Sequence, residues 1–522
     1  MSVDSDRRRQ RLVLAAMTLA NAMILVDQTA VPLALPNIMK TYGIGSQEVQ
    51  WVLNGSLLPL AGLLVFGGRL GDLIGLRRVF LAGALIFVGG SALGGVAPAF
   101  PVLLAARVVQ GVGGGLMLPT TVAIVSTAFP AEQRGRALGA MGGAAAVFAA
   151  LGPTIGGLLT SAVSWRAVLL VNLPLAAAAI LPARRHLPVY DEAGATPLAK
   201  IDASGTLFLS MVLVGMVFGL SQSQAWGWDS PAVLLSLTLS VAAVAAFVVR
   251  ERRAESPLVD FALLRHRNYL GASISQLLGG MVALGLGVIF PLLLILNLEM
   301  SAALAGLALI PTTLPMIAVA PLAGRWYDRA GGRPPLITGF GLLALSGVLL
   351  AVAVGRDEYL PLLPGLVFYG IGLSLVLSTN DPVTLDMIAE RDHGQAAGVS
   401  ATAEQFGGAL GIAVLYSIFH ATYVDRLHDL VNRGPVPGLT PARAIALRNT
   451  LQAAEASGLR PRSVEPVLQP YLLPARAASN HGYSVTFIIV ALLAVLAGVL
   501  ATWLVRKPAG MDGPAVFPPR ST

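Results

Sequence analysis

Long apolar runs recur from one end of this chain to the other, separated by short segments that hold nearly all of its charge. They fall at 12–38, 49–68, 79–97, 101–127, 137–160, 166–183, 203–222, 231–249, 270–296, 303–324, 335–354, 361–384, 395–420 and 483–505. At about 1.5 Å of rise per helical residue, runs of this length cross roughly 30 Å of hydrocarbon. Lipid offers no partner to a backbone N–H or C=O, so each run must satisfy its own as a helix. The pattern predicts an all-α membrane protein with fourteen transmembrane helices and both termini on one side. With 55% of its residues hydrophobic and only 12% charged, the chain has no way to hide these runs from water in a soluble fold.

Three groups emerge. Residues 1–186 hold six helices and end on Arg184-Arg185-His186; residues 187–268 form a linker carrying two additional helices. Residues 269–522 hold six more and include a long outer segment, 421–482, that could form short helices on the headgroups. An internal repeat ties the outer groups together. Gly68-Arg-Leu-Gly-Asp72-Leu-Ile-Gly75-Leu-Arg77-Arg78 follows helix 2, and Gly324-Arg-Trp-Tyr-Asp328-Arg329-Ala-Gly-Gly-Arg333 follows the second helix of the last group. Matched loops in two six-helix halves predict a pseudo-twofold transporter with its site at the midplane. Glycines suit a tight turn there, and Asp72 could take hydrogen bonds from helix-end amides or from Arg77 and Arg78. The plainer alternative is charge that merely sets topology.

The formal charge of +8 would suggest nucleic acid in a soluble chain. Its distribution argues otherwise. Twenty-four of the 35 basic residues fall in the segments on the terminal side, and three in the short loops opposite. That is the positive-inside pattern. It predicts a plasma (inner) membrane protein with both termini cytoplasmic and no nucleic-acid partner. The absence of cysteine excludes disulfides and thiolate metal sites. None of the three lysines follows Gly-x-x-x-x-Gly, so no Walker phosphate loop is encoded and no enzyme constellation stands out. Arg7 to Arg11 followed by an apolar stretch resembles a signal peptide, but the run continues to Pro36, which predicts an uncleaved first helix.

Two charges lie too deep for this arrangement to be passive. Arg107 begins Arg107-Val-Val-Gln-Gly-Val-Gly-Gly-Gly115 inside an apolar run, where a charge costs at least about 2.5–3.5 kcal/mol. Asp27 lies about 22 Å up helix 1 from the inner side, and Arg107 about 9 Å down helix 4 from the outer side. In a layer of about 30 Å the two share one level. Burial favours the neutral acid and a nearby arginine the charged one. A carboxylate so balanced can exchange a proton for a cationic cargo; the alternative is a static ion pair that only packs helices 1 and 4. Gln110, Gly111 and Gly114 follow Arg107 on one stripe, bordering either a cavity or a closely packed helix. Glu404, near mid-depth in helix 13, is a possible second acid, and Asn21, Asn54 and Asn172 are candidate cavity polar groups. Gly152-Pro153 should bend helix 5. Trp226-Gly-Trp228 reads as an interfacial anchor.

These residues resemble those of the major facilitator superfamily, and specifically its fourteen-helix drug:proton antiporter branch (EmrB/QacA type). The resemblance rests on Leu25-Val-Asp27-Gln-Thr29 to Pro36, on Gly68 to Arg78, on Arg107, Gln110, Gly111 and Gly113, and on Gly152-Pro153-Thr-Ile-Gly156-Gly157. Trp165-Arg166 and Asn172-Leu-Pro174 also match around helix 6. Departures include Phe148 and Ala167, where the family carries glycine and tryptophan, and the acids Glu299 and Glu404. The resemblance implies a secondary-active exporter of small lipophilic or cationic compounds, driven by protons with no cofactor beyond the proton gradient, acting as a monomer in the lipid bilayer. It also implies a hinge at Gly152, Pro153, Gly156 and Gly157 and a conformational switch at the paired loops. A narrow exporter of one metabolite, antibiotic or lipid is the alternative. Uptake by symport fits the fifth-helix motif less well, and a receptor or scaffold would not need a charge in lipid.

Overall fold

The structure, a computed structural model, describes residues 3–187, 203–254, 261, 265–385, 393–432 and 469–505. No strand occurs among them. The helices in chain order are α1 (Val3–Tyr42), α2 (Ser46–Ile74), α3 (Leu76–Gly95), α4 (Phe100–Ala128), α5 (Ala131–Ala162), α6 (Trp165–Leu170), α7 (Asn172–His186), α8 (Ala203–Trp226) and α9 (Pro231–Glu251). They continue as α10 (Arg267–Leu292), α11 (Ala302–Ala308), α12 (Ile310–Ala330), α13 (Arg333–Ala353), α14 (Leu363–Leu385), α15 (His393–Asn432) and α16 (Gln469–Leu504). Eleven helical stretches among the described residues are long and apolar enough to cross a membrane. The predicted runs at 49–68, 137–160 and 203–222 lie on α2, α5 and α8, outside those eleven.

Two predicted single helices are interrupted. The run at 166–183 divides into α6 and α7, and the run at 303–324 into α11 and α12. Proline explains both. Pro174 has no N–H for the carbonyl of Leu170, where α6 ends, and Pro311 has none for Leu307, one residue before the end of α11. The end of α10 differs in another way, widening into a π turn over Leu293–Asn297. The outer segment also differs from expectation. Residues 421–432 and 469–482 are not separate surface helices but continue α15 and α16, and 433–468 lies outside the described residues.

Small residues set the packing. α3 lies against α4, α1 against α5, α2 against α4, and α10 against α15 as the closest pairs. A Cβ on Gly113 would collide with the backbone of Gly83 and Phe87 on α3, and one on Gly111 with Ser56 on α2. The two halves meet where α5 touches α11 and α12 and where α2 touches α15, while α8 packs with α9 and also touches α2 and α15. Apolar side chains also cover outer faces: Leu234, Leu235, Leu239 and Val241 of α9 are all exposed, which suits hydrocarbon rather than water.

Candidate functional site

Helix α4 is the frame on which the polar cluster is built. Arg107 and Gln110 are three residues apart and so project from one face. The glycines one turn below let α2 and α3 approach until their own polar groups reach that face. Gly90 of α3 faces the backbone of Gln110, where a Cβ would lie 2.6 Å from its nitrogen, and Gly55 of α2 faces the stem of Arg107. A larger residue at any of these places would separate the donors from their acceptors.

The cluster satisfies Arg107 in a wholly buried setting, 1% exposed. Its Nη1 donates to Asp27 Oδ2 at 2.7 Å and to Gln110 Oε1 at 2.6 Å. Nη2 donates to Ser56 Oγ at 2.6 Å, and Nε to the carbonyl of Val52 at 2.7 Å. Asp27, 4% exposed, accepts on its other oxygen from Gln110 Nε2 at 2.8 Å and Asn172 Nδ2 at 3.1 Å. Ser91 Oγ accepts from the same two amides, at 2.9 and 3.2 Å. Five helices (α1, α2, α3, α4 and α7) therefore meet around one carboxylate. Two buried charges removed from water cost several kcal/mol each, and only a pair with its remaining hydrogen bonds made offsets that. Here the carboxylate has three donors and the guanidinium uses all three of its nitrogens.

α5 connects this cluster to the other half. Gly152 and Gly156 leave no space between α5 and Thr29 and Ala30 of α1, just beyond Asp27. Gly157 does the same against Ala302, and Gly306 against Pro153. Thr154 Oγ1 donates to Gly306 O at 3.2 Å, and Ser161 Oγ accepts from the amide of Ala303 at 3.0 Å. Despite Pro153, α5 runs as one helix from Ala131 to Ala162.

The repeated loops resolve into short glycine turns, of one residue (Gly75) in the first and two (Gly331 and Gly332) in the second. Gly75 alone separates α2 from α3 at φ +100, and Gly331, its counterpart in the repeat, ends α12 at φ +75. Both lie in the region that glycine tolerates and other residues do not. Gly68 touches Pro119, whereas Gly324 faces open space and Asp328 and Arg329 are exposed. Arg77 Nη2 donates to Arg184 O at 2.6 Å, and Arg78 is exposed. The side chain of Asp72 lies outside the described residues.

In the carboxyl-terminal half, Glu404 Oε2 accepts from Gln276 Nε2 at 2.7 Å. Its neighbour Gln405 accepts from Gln28 Nε2, the residue after Asp27, at 3.0 Å. The two acids thus sit beside a hydrogen bond that crosses between the halves. Glu299 is far from both. It stands after the π turn at φ 55, ion-paired with Arg476 of α16. Asn297 Nδ2 donates to Asn480 Oδ1 at 2.6 Å, and Asn480 in turn donates to Asp357, which is at φ 54.

Several expectations shift in detail. Gly111 and Gly114 are closed off by α2, with Ser56 against one and Leu60 against the other, so their smallness serves helix approach. Asn172 joins the Asp27 cluster, but Asn54 is fully enclosed with neither amide atom bonded. Ser56, Ser91, Gln276 and the Gln28–Gln405 bridge escaped sequence reasoning. Serines are common in apolar helices, where their hydroxyls bond the preceding turn, as Ser56 also does to Leu53 O.

Comparison with known proteins follows the same lines. Residues 17–412 match the family model described as Major Facilitator Superfamily. The tetracenomycin C resistance and export protein of Streptomyces glaucescens is 32% identical over 99% of this chain and 96% of its own length. The multidrug resistance protein Stp of Mycobacterium tuberculosis is 31% identical over 87% of this chain and 84% of its own. Among solved structures, the xylose transporter XylE from E. coli, in a partially occluded inward-open conformation, superposes with a TM-score of 0.61 at 13% identity. It covers 98% of this chain and 100% of that one. That likeness concerns the fold alone.

Proposed function

The chain belongs to the major facilitator superfamily, and from that premise we propose that it is a proton-driven efflux transporter of small lipophilic or cationic compounds. It would act as a monomer in the plasma membrane, cross it fourteen times with α2, α5 and α8 among the spans, and keep both termini in the cytoplasm. The division into two six-helix halves with an inserted pair belongs to the same reading, as does membership in the fourteen-helix drug:proton antiporter branch. No cofactor beyond the proton gradient takes part.

The observation that carries the reading is the state of Asp27. Its two oxygens accept from Arg107, Gln110 and Asn172, a donor set that suits a carboxylate and fills three of its roughly four acceptor positions. Protonation from outside would remove the charge that holds Arg107 and weaken the other two donors, loosening α1 from α4 or α7. Because α5 is wedged between α1 and the outer helices of the other half, a shift of α1 is passed to the contact that separates the halves. A cationic cargo arriving near the cluster would favour the charged acid again and expel the proton inward. Glu404 stands across the Gln28–Gln405 bridge as a second acid that tunes the exchange. The paired glycine turns would act as the switch of the inner side.

The test is efflux from proteoliposomes under an imposed pH gradient, using a panel of cationic dyes and, separately, aromatic antibiotics. Dye movement coupled to proton counterflow is the expected result, and movement indifferent to the gradient would overturn it. A narrower specificity is favoured by one fact, that the relative matched over nearly its whole length is named for a single antibiotic. Export of one panel member alone would select that reading.

A further inference from the structure

At the end of the first half where α1 begins, four helix ends enclose a pocket of about 380 Å³ between α1, α3, α4 and α7. Arg9, Arg77 and His186 line it at the helix ends, and Val13 and Ile124, each about one turn deeper along its helix, give it an apolar floor. Arg9 lies eighteen residues before Asp27 on one helix, about 27 Å along it, so this site is separate from the acid cluster. It sits where the arginines before Leu12 give way to the apolar run, which is the level of lipid headgroups.

Both arginines are held in place by one contact each. Arg9 Nε donates to His186 O at 2.9 Å and Arg77 Nη2 to Arg184 O at 2.6 Å, two carbonyls at the end of α7. Gln10 Nε2 similarly caps Ala128 O at the end of α4. Each guanidinium has five N–H groups in a fixed fork. Those beyond these contacts meet no carboxylate among the described residues, and none of the described residues that line the pocket is acidic. Fixed forks with donors to spare, over an apolar floor, match an anion that brings hydrocarbon with it. The volume is roughly twelve times that of a water molecule, which is more than an inorganic ion would fill.

We propose that this pocket binds the phosphate of an anionic phospholipid between Arg9 and Arg77, with its glycerol and the upper acyl carbons on the apolar floor. The lipid would join the amino-terminal helix to the glycine turn at Gly75, which stands two residues from Arg77. Basic pockets between helix ends at a membrane surface are suited to such headgroups, and the site does not depend on the direction or coupling of transport.

The experiment uses the full-length purified protein with phosphatidylglycerol, phosphatidylcholine or inorganic phosphate added, read by native mass spectrometry for bound lipid and by melting for folding. Wild type and Arg11→Gln, an exposed arginine outside the pocket, are expected to bind phosphatidylglycerol alike. Arg9→Gln alone should bind about fivefold more weakly, and Arg9→Gln with Arg77→Gln roughly twentyfold, with melting in detergent alone unchanged for the single variant. Equal binding of phosphatidylcholine, undiminished binding in both variants, or inorganic phosphate competing as well as the lipid would each overturn the proposal.

Discussion

The acids of the two halves are held by the same construction and left in different states. In the first half, glycines of α4 bring α2 and α3 close enough for Arg107 and Gln110 to reach Asp27. In the second, Gly280 of α10 lies against the backbone of Glu404, and Gly407 and Gly411 of α15 lie against Leu277 and Met281. Where α4 supplies an arginine, however, α10 supplies Gln276. Asp27 is 4% exposed and paired with a guanidinium, while Glu404 is half-buried and has the Gln276 amide among its contacts. Tight helix approach is therefore a shared framework, and the side chain that the packed helix sets against each acid differs between the two.

The comparison can be broken most directly at the arginine. Arg107→Ala leaves Asp27 buried without its partner and should destabilise the protein by about 3–5 kcal/mol. Glu404→Gln, which keeps a polar group facing Gln276, should cost under about 1 kcal/mol. Denaturation of the two purified variants measures the difference, and equal stabilities would mean the ion pair does not hold the first half together. Next in size is transport. Asp27→Asn should lower pH-driven export at least about tenfold in protein that still reconstitutes, whereas Glu404→Gln should shift its pH dependence. A variant at Asp27 with full export would remove that acid from the exchange.

Glycines sharpen the contrast further. Gly156→Val drives a side chain into Ala30 and should cost about 1–3 kcal/mol. The same change at Gly324, with nothing within 4 Å, should be near neutral in the same melting assay. Gly75→Ala and Gly331→Ala should each cost about 1 kcal/mol from backbone strain alone, a matched pair where the acids are not. The smallest effect is expected at Gln28→Ala. It removes one hydrogen bond between the halves, worth about 1 kcal/mol, and should be visible as a slight change in export rate before any change in melting.

Much of this was legible beforehand, for physical reasons that also mark where reading stops. Helix rise is nearly constant, so counting residues puts Asp27 and Arg107 at one depth, and the structure has them 2.7 Å apart. The i, i+3 spacing puts Gln110 on the same face. Pro174 and Pro311 could have announced the breaks at Leu170 and Ala308 by the hydrogen bond each withholds, yet apolar runs read through them. Partners contributed by other helices were not accessible. Ser91 stands in an ordinary small-residue stretch, and nothing along the chain couples Gln28 to Gln405, 377 residues away. The left-handed conformation of Glu299 carries no local signal either, because glycine, asparagine or aspartate, as at Asp357, is the more usual occupant.

The one-residue joint at Gly75 has a further consequence for how the chain can vary. A helix turns about 100° per residue, so inserting or deleting a single amino acid there would re-phase α3 against α2. Gly83 and Gly90 would then leave the α4 side, and bulkier neighbours would arrive in their place. Chain length between these two helices is accordingly a fixed quantity, and tolerated insertions in this protein should be sought elsewhere.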